Sequence, residues 1–266
     1  MSILSNNRFL QRVNPEITRA RTDAGASLVS DHAVIQPLMR NMVDLGIADN
    51  LKLWAHSALV DTRTSGSDLF IPKAYDISGE ENDAVQATPA NQPKLVSNGM
   101  EFPAANYSLP TSYNNGTELS SPFTVTLWIN TVYTSETGAH MVRAWGAATD
   151  DRCWALLVAL SRLQMFWSNN GSTIGLALDS TTISEVGWTH IALTYNNSRF
   201  FPYVNGVPLD DFNVGTLHNP GTNAPFEIGT LRYEGFLNDV RFLNTPISSA
   251  QVATIYNATK GYYGIT

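Results

Sequence analysis

The stretch WTHIALTYNNSRFFPYVNGVPL, residues 188–209, limits the possible folds more than any other part of the chain. Thr189, Ile191, Leu193 and Tyr195 alternate with His190, Ala192 and Thr194, the period of two that puts successive side chains on opposite faces of a strand. Asn196-Asn197-Ser198 reads as a turn, and Arg199 to Val204 as the next strand. Asn205-Gly206 then stands between Val204 and Val207. A type I′ turn needs positive φ at both central residues, which Asn and Gly tolerate, so a tight hairpin is expected there. Pro208 cannot donate to a ladder, so the return strand belongs at a sheet edge. His190, between small residues on one strand face, reads as structural.

The same grammar continues elsewhere. In FTVTLWIN (123–130), Phe123, Val125, Leu127 and Ile129 share one face, and Thr124, Thr126 and Trp128 the other. CWALLVAL (153–160) and LQMFWS (163–168) read as a hairpin turning at Ser161-Arg162. STIGLALDS, PFEIGTL and GFLNDVRFL add further strands, with turn residues between them. Many short strands at regular spacing indicate an antiparallel sandwich or barrel. With 43% hydrophobic and 15% charged residues, the chain of 266 has the makings of a large core. Near the end, Ser248 and Gln251 have capping-box spacing, flanked by Ile247 and Val252 as a staple, which predicts a short helix to about Asn257.

The first 50 residues differ. Residues 1–30 show no sustained periodicity and read as an extended arm. QPLMRNMVDLG (36–46) reads as a short helix, with Pro37 at its first position and Gly46 as its stop. Leu38, Met39, Met42 and Val43 share one face, which suits packing on the chain itself or on a neighbouring subunit. Arg8, Arg12, Arg19 and Arg21 against Glu16 make residues 1–22 +3, so the remainder carries −10 of the net −7. Such a basic arm on an acidic body suits an acidic partner surface. The acidic balance argues against nucleic acid as a partner. No stretch is long and apolar enough for a membrane span, and no secretory leader is visible. The single cysteine, Cys153, excludes an intrachain disulfide. The expected organisation is an anchoring arm and helix over 1–50 and a β domain over 51–266.

The order DISGEENDA (76–84), GMEFPAANYSLP (99–110), FTVTLWIN, the 188–209 hairpin and FEIGTLRYEGFLNDVRFLNTPISSAQVATIYN (226–257) resembles the laminin G-like, concanavalin A-like lectin/glucanase superfamily. The resemblance covers roughly 51–258 and implies an all-β, two-sheet antiparallel jelly-roll sandwich. It departs at Asn82-Asp83-Ala84, where the family's loop usually continues differently. An arm and helix ahead of such a domain look like a bacteriophage virion protein, a capsid decoration or fibre component. That likeness implies a non-enzymatic homo-oligomer, made in the host cytoplasm and held on the virion surface. Its anchors to capsid or fibre subunits would be Arg8, Arg12, Arg19, Arg21, Leu38, Met39, Met42 and Val43. The alternative is a free carbohydrate-binding lectin.

Glycosidases need two carboxylates flanking the scissile bond. Only Glu81-Asn82-Asp83 begins the family's catalytic pattern, and Val85 and Gln86 do not complete it. H-E-x-x-H, Walker and G-x-S-x-G motifs are missing, and the five histidines have no ligand spacing. No cofactor is expected, although calcium has possible oxygen ligands in Asp76, Glu80 and Asp83, in Asp150-Asp151 and in Asp210-Asp211. A sugar needs an exposed aromatic platform beside polar groups. Trp145, Trp167, Tyr113 and Tyr233, each near Asn or Asp, are the candidates for surface glycans.

Overall fold

A computed structural model describes residues 3–102, 108–131, 139–146, 151–183, 187–230 and 233–266, with side chains from Asn14 onward except at 27, 29, 32 and 177–182. The strands are β1 (Leu28–Ser30), β2 (Leu51–Ser65), β3 (Asp68–Asp76), β4 (Ala84–Val85), β5 (Lys94–Val96), β6 (Gly99–Phe102), β7 (Leu109–Pro110), β8 (Phe123–Thr131) and β9 (Ala139–Trp145). They continue with β10 (Arg152–Ala159), β11 (Arg162–Trp167), β12 (Gly175–Thr182), β13 (Thr189–Tyr195), β14 (Arg199–Val204), β15 (Val207–Pro208), β16 (Phe212–Asn213), β17 (Phe226–Thr230) and β18 (Gly235–Leu243). The helices are α1 (Ile3–Ala24), α2 (His32–Asp44), α3 (Gly116–Ser120) and α4 (Ser249–Thr259).

Two antiparallel sheets face each other. The larger runs β1-β2-β3-β5-β6-β18-β8-β13-β14-β15, and the smaller runs β12-β11-β10-β9-β17-β7. The expected all-β jelly-roll sandwich is what forms. Phe123, Val125, Leu127 and Ile129 of β8 enter the core between the sheets, beside Ile191, Leu193 and Tyr195 of β13. Asn205 and Gly206 have φ of 51° and 77°, the I′ signs, and Pro208 lies on the terminal strand β15. The second hairpin turns one residue earlier than expected. Its central pair is Leu160-Ser161, with φ of 50° and 58°, and β11 starts at Arg162. The capping box forms, with Ser248 N–H donating to Gln251 Oε1 at 2.9 Å.

The N-terminal segment corrects the extended-arm expectation, because residues 3–24 are helical despite Pro15. Propensity alone seldom carries a helix, and tertiary contacts decide. Ile17 and Ala20 of α1 are buried against the sandwich. Arg19 grips Asp83 with two bonds, Nη1–Oδ2 at 2.7 Å and Nη2–Oδ1 at 2.8 Å. α2 likewise starts before Pro37, capped by Asp31, whose Oδ1 accepts from the backbone of Ala33 and Val34. Gly46, at φ 70°, ends it as expected. Leu38, Met39, Met42 and Val43 join one cluster with Trp54, Tyr75, Val252 and Ile255, so that face is filled by the chain's own sheet and by α4.

α1, α2 and α4 thus cover the outer face of the larger sheet. Beneath them lies a polar seam. Asp239, at φ 51° in a bulge of β18, forms a buried ion pair with Arg241, 2.7 Å from Nη2 to Oδ2. Trp54 Nε1 donates to Asp239 Oδ1 at 2.7 Å. Nearby, His190 packs between Trp128 and Tyr256, and His56 against Tyr262. Among the described residues no helix is long and apolar enough to cross a membrane.

Removing one partner of a buried pair strands the other charge in a low-dielectric interior. Asp239→Ala should therefore destabilise the fold by about 3–5 kcal/mol in urea unfolding, while Asp211→Ala, at a solvent-exposed pair with Arg199, should leave the midpoint nearly unchanged.

Candidate functional site

Among the described residues, no helix packs on the outer face of the smaller sheet. Its register places side chains in two transverse rows. One row runs Thr230, His140, Leu157, Gln164 across β17, β9, β10 and β11. The next runs Glu227, Arg143, Ala155, Phe166, and ends at Leu176 on β12. Trp145 and Arg152 pair beyond them. The face is therefore polar over β17 and β9 and apolar over β10 and β11.

Each half has a physical structure. Trp145 and Phe166 lie 6.4 Å apart, over the buried Ala155 and Leu157. Arg152 stands 5.7 Å from the Trp145 ring centre and donates to the Ser172 carbonyl. Arg143 and Glu227 form a largely buried ion pair across strands, with 16% and 19% of their side chains accessible. His140 and Thr230 are opposed across β9 and β17, and both are buried. His140 Nδ1 and Thr230 Oγ1 lack any hydrogen-bond partner. Buried polar atoms are nearly always satisfied, and His56 Nε2 and both ring nitrogens of His190, under the helices, share this state with them. Burial, reinforced by Arg143, pushes the His140 pKa down to about 3. The ring is thus neutral, with one nitrogen donating and one accepting. The groups that reach the surface are Arg143, Glu227 and the edge of Phe166, with Trp145, His140 and Thr230 buried beside them.

Two clefts elsewhere are poorer in this respect. One, of about 350 Å³, lies beside Asp31, Ser57, Leu69 and Tyr262. Another, of about 430 Å³, lies between α2 and Ala258. The first has a single aromatic ring in its walls and the second none.

Of the residues singled out in the sequence, Trp145 lies on this face. Trp167 points the other way, packing at the core against Phe200 with its ring over Gly175. Tyr113 and Tyr233 are buried in the core, with their hydroxyls bonded to Glu118 and to the Phe236 carbonyl. None of these three offers a surface to a sugar. The oxygen-rich loop is likewise occupied. Asp76 accepts from Trp54 N, Ser78 N, Ser78 Oγ and Asn82 N at 2.6–3.0 Å. Asp83 is held by Arg19 and Lys73, and Glu80 by Lys52. Asp211 pairs with Arg199, Asp151 accepts from Asn223, and Asp150 lies outside the described residues. Among the described residues no three metal-ligating side chains converge. Of the proposed anchors, Arg19 is tied to Glu16 and Asp83, and Arg21 is exposed. The side chains of Arg8 and Arg12 lie outside those described. His140, Arg143, Phe166, Glu227 and Thr230 escaped the sequence reading. Their signal was a charge in mid-strand among apolar neighbours, in AHMVRAW and PFEIGTL.

This arrangement, two antiparallel sheets packed face to face, defines a lectin-like jelly roll. The family described as the concanavalin A-like lectin/glucanases superfamily (Laminin_G_3) matches residues 104–253, and the chain belongs to it. No curated protein sequence matches. Solved structures share the fold at low identity. The binding domain of Paraclostridial Mosquitocidal Protein 1 has a TM-score of 0.57 at 18% identity, covering 82% of this chain and 56% of that one. The ligand binding domain of botulinum neurotoxin serotype D, solved in complex with N-acetylneuraminic acid, has 0.60 at 12%, covering 83% and 55%. The botulinum neurotoxin DC binding domain, in complex with rat synaptotagmin II, has 0.56 at 12%, covering 80% and 52%. The chain spans a little over half the length of each.

The buried ionisable groups give this fold a pH dependence. Burial lowers His56 to about 4 and His140 and His190 to about 3, from 6.5. Burial raises Asp76 from 3.8 to about 6, against its four hydrogen bonds. Between pH 6 and 4 the unfolded chain holds nearly three histidine protons that the folded protein refuses, and the folded protein holds one on Asp76. The net is about two protons in favour of unfolding. Stability should be full above pH 6.5 and fall by roughly 3 kcal/mol per pH unit from 6 towards 4, measured by urea unfolding across that range. A flat profile would contradict the assignment.

Proposed function

We propose that the outer face of the smaller sheet binds glycans without catalysing their cleavage. The observation that carries this reading is the Arg143–Glu227 pair set beside the Trp145–Phe166 rings, with the buried His140 and Thr230 beneath. A sugar ring resting against Phe166 would bring its hydroxyls to Arg143 and Glu227. Hydrolysis calls for two carboxylates, and among the described residues the two rows contain Glu227 alone, already paired with Arg143. Glycan-bound relatives of the same fold support the reading at the level of fold.

We further propose, from the basic N-terminal segment, that the domain is carried on a bacteriophage particle. There it would be a homo-oligomeric capsid decoration or fibre component at the virion surface, joined to its subunits through residues 1–50. In support, among the described residues α1 holds to the body by two buried apolar side chains, Ile17 and Ala20, and by the ion pairs Arg19–Asp83 and Asp23–Lys73.

Two experiments test these readings. On a glycan array the protein should give saturable hits unchanged by chelator. Arg143→Ala should weaken them by about tenfold or more, as expected for a charged hydrogen bond, with an unaltered circular dichroism spectrum. An array with no hits would sink the glycan reading. Removing residues 1–24, short of β1, should leave the sandwich folded and abolish incorporation into particles. Normal incorporation of that truncation would exclude anchoring by α1.

A further inference from the structure

The chain makes the same turn twice with different residues. At 205–206 it uses Asn-Gly, with φ of 51° and 77°, and at 160–161 it uses Leu-Ser, with φ of 50° and 58°. Left-handed backbone is disfavoured for any side chain with a Cβ, and most for those that cannot bond to their own backbone. Leu160 has no such compensation and is 54% exposed. Its burial within this chain does not repay the conformation, so the sequence retains an apolar group on the tip of a hairpin at the expense of stability. Local strain of this kind gathers at functional positions.

The position of the tip suggests its use. The pair Ala159 and Arg162 closes the hairpin directly beyond Leu157 and Gln164. Those two belong to the row that contains His140 and Thr230. Leu160 therefore stands at the lip of the candidate face, at the end where the two orphan polar atoms lie. Leu176, 49% exposed, gives the same face a second apolar margin on β12. A plain sugar has little use for exposed leucine beyond the Phe166 ring. We infer that Leu160 is a specificity-determining contact for an apolar substituent, an alkyl or acyl group attached to the glycan. This inference rests on the glycan reading above and narrows it to amphipathic glycosides.

The test uses the full chain and a turn-optimised double variant, Leu160→Asn with Ser161→Gly. The probes are methyl and octyl glycosides of glucose, galactose and N-acetylglucosamine, titrated calorimetrically below the micelle concentration. The wild type should bind at least one octyl glycoside about tenfold more tightly than its methyl counterpart, the scale of burying part of a leucine. The double variant should bring that ratio to about threefold or less on the same scale, leave the methyl affinity unchanged, and melt at a higher temperature. An unchanged ratio in the variant, or a lower melting temperature, would overturn the role of Leu160 while leaving the glycan reading intact. A wild type that binds none of the glycosides and gives no array hit would overturn both.

Discussion

The rest of the structure hangs on the side chains around Trp54. Its backbone N–H donates to Asp76 and its indole to Asp239. Asp239 in turn holds Arg241, whose Nη1 lies 3.1 Å from Met42 Sδ on α2. In the other direction Asp76 N–H donates to Asp83, which Arg19 of α1 grips. One polar chain thus runs from α1, through the 76–83 loop and the middle of the larger sheet, to α2. Burying an Arg–Asp pair costs heavily in desolvation and is repaid only when every donor and acceptor is met. Here Asp239 takes two bonds from Arg241 and one from Trp54. The bulge at Asn238-Asp239 makes this possible, because it turns Asp239 towards the helices while Asn238 bonds to Ser57 N and the Asn98 carbonyl.

That arrangement explains which parts of the fold were legible. The 188–209 hairpin and β8 were legible because turn chemistry and period-two alternation are local signals, complete within a few residues. The α4 cap was legible for the same reason. α1 was not. Pro15, Asn14 and Thr18 speak against a helix, and what favours one is distant: the pocket for Ile17 and Ala20 and the carboxylate of Asp83, 64 residues along the chain from Arg19. α2 is similar in part. Its stop at Gly46 is local, but its start at Asp31 rather than Pro37 rests on a capping side chain that the apolar pattern does not reveal.

The candidate site divides in the same way. Acidic residues close in sequence, Asp76, Glu80 and Asp83, looked like oxygen ligands because sequence shows proximity and not occupancy. Each proved to be taken by a nitrogen or hydroxyl donor, two of them as links in the chain around Trp54. Aromatics near Asn and Asp looked like platforms, yet Tyr113 and Tyr233 fill the core, since a ring's orientation depends on strand parity and a two-sheet core needs many rings. The residues that do meet on the open face come from β9, β10, β11 and β17. No local pattern joins His140 to Thr230 or Arg143 to Glu227, because only the register between strands brings them together.

The asymmetry between the two outer faces follows from one physical constraint. A sheet with two apolar faces must cover both. The larger sheet covers its second face with α1, α2 and α4, which bury Trp54, Leu59, Ala192 and Leu243. The smaller sheet has a second face that is apolar only in the middle, at Ala155 and Leu157, and it shields that middle with its own Trp145 and Phe166. It therefore folds without a helical cover, and its polar margin of Arg143, Glu227, His140 and Thr230 remains at the surface or just below it. Loosening the Trp54 chain would disturb the helical cover first and reach the outer face of the smaller sheet only through the core between the sheets.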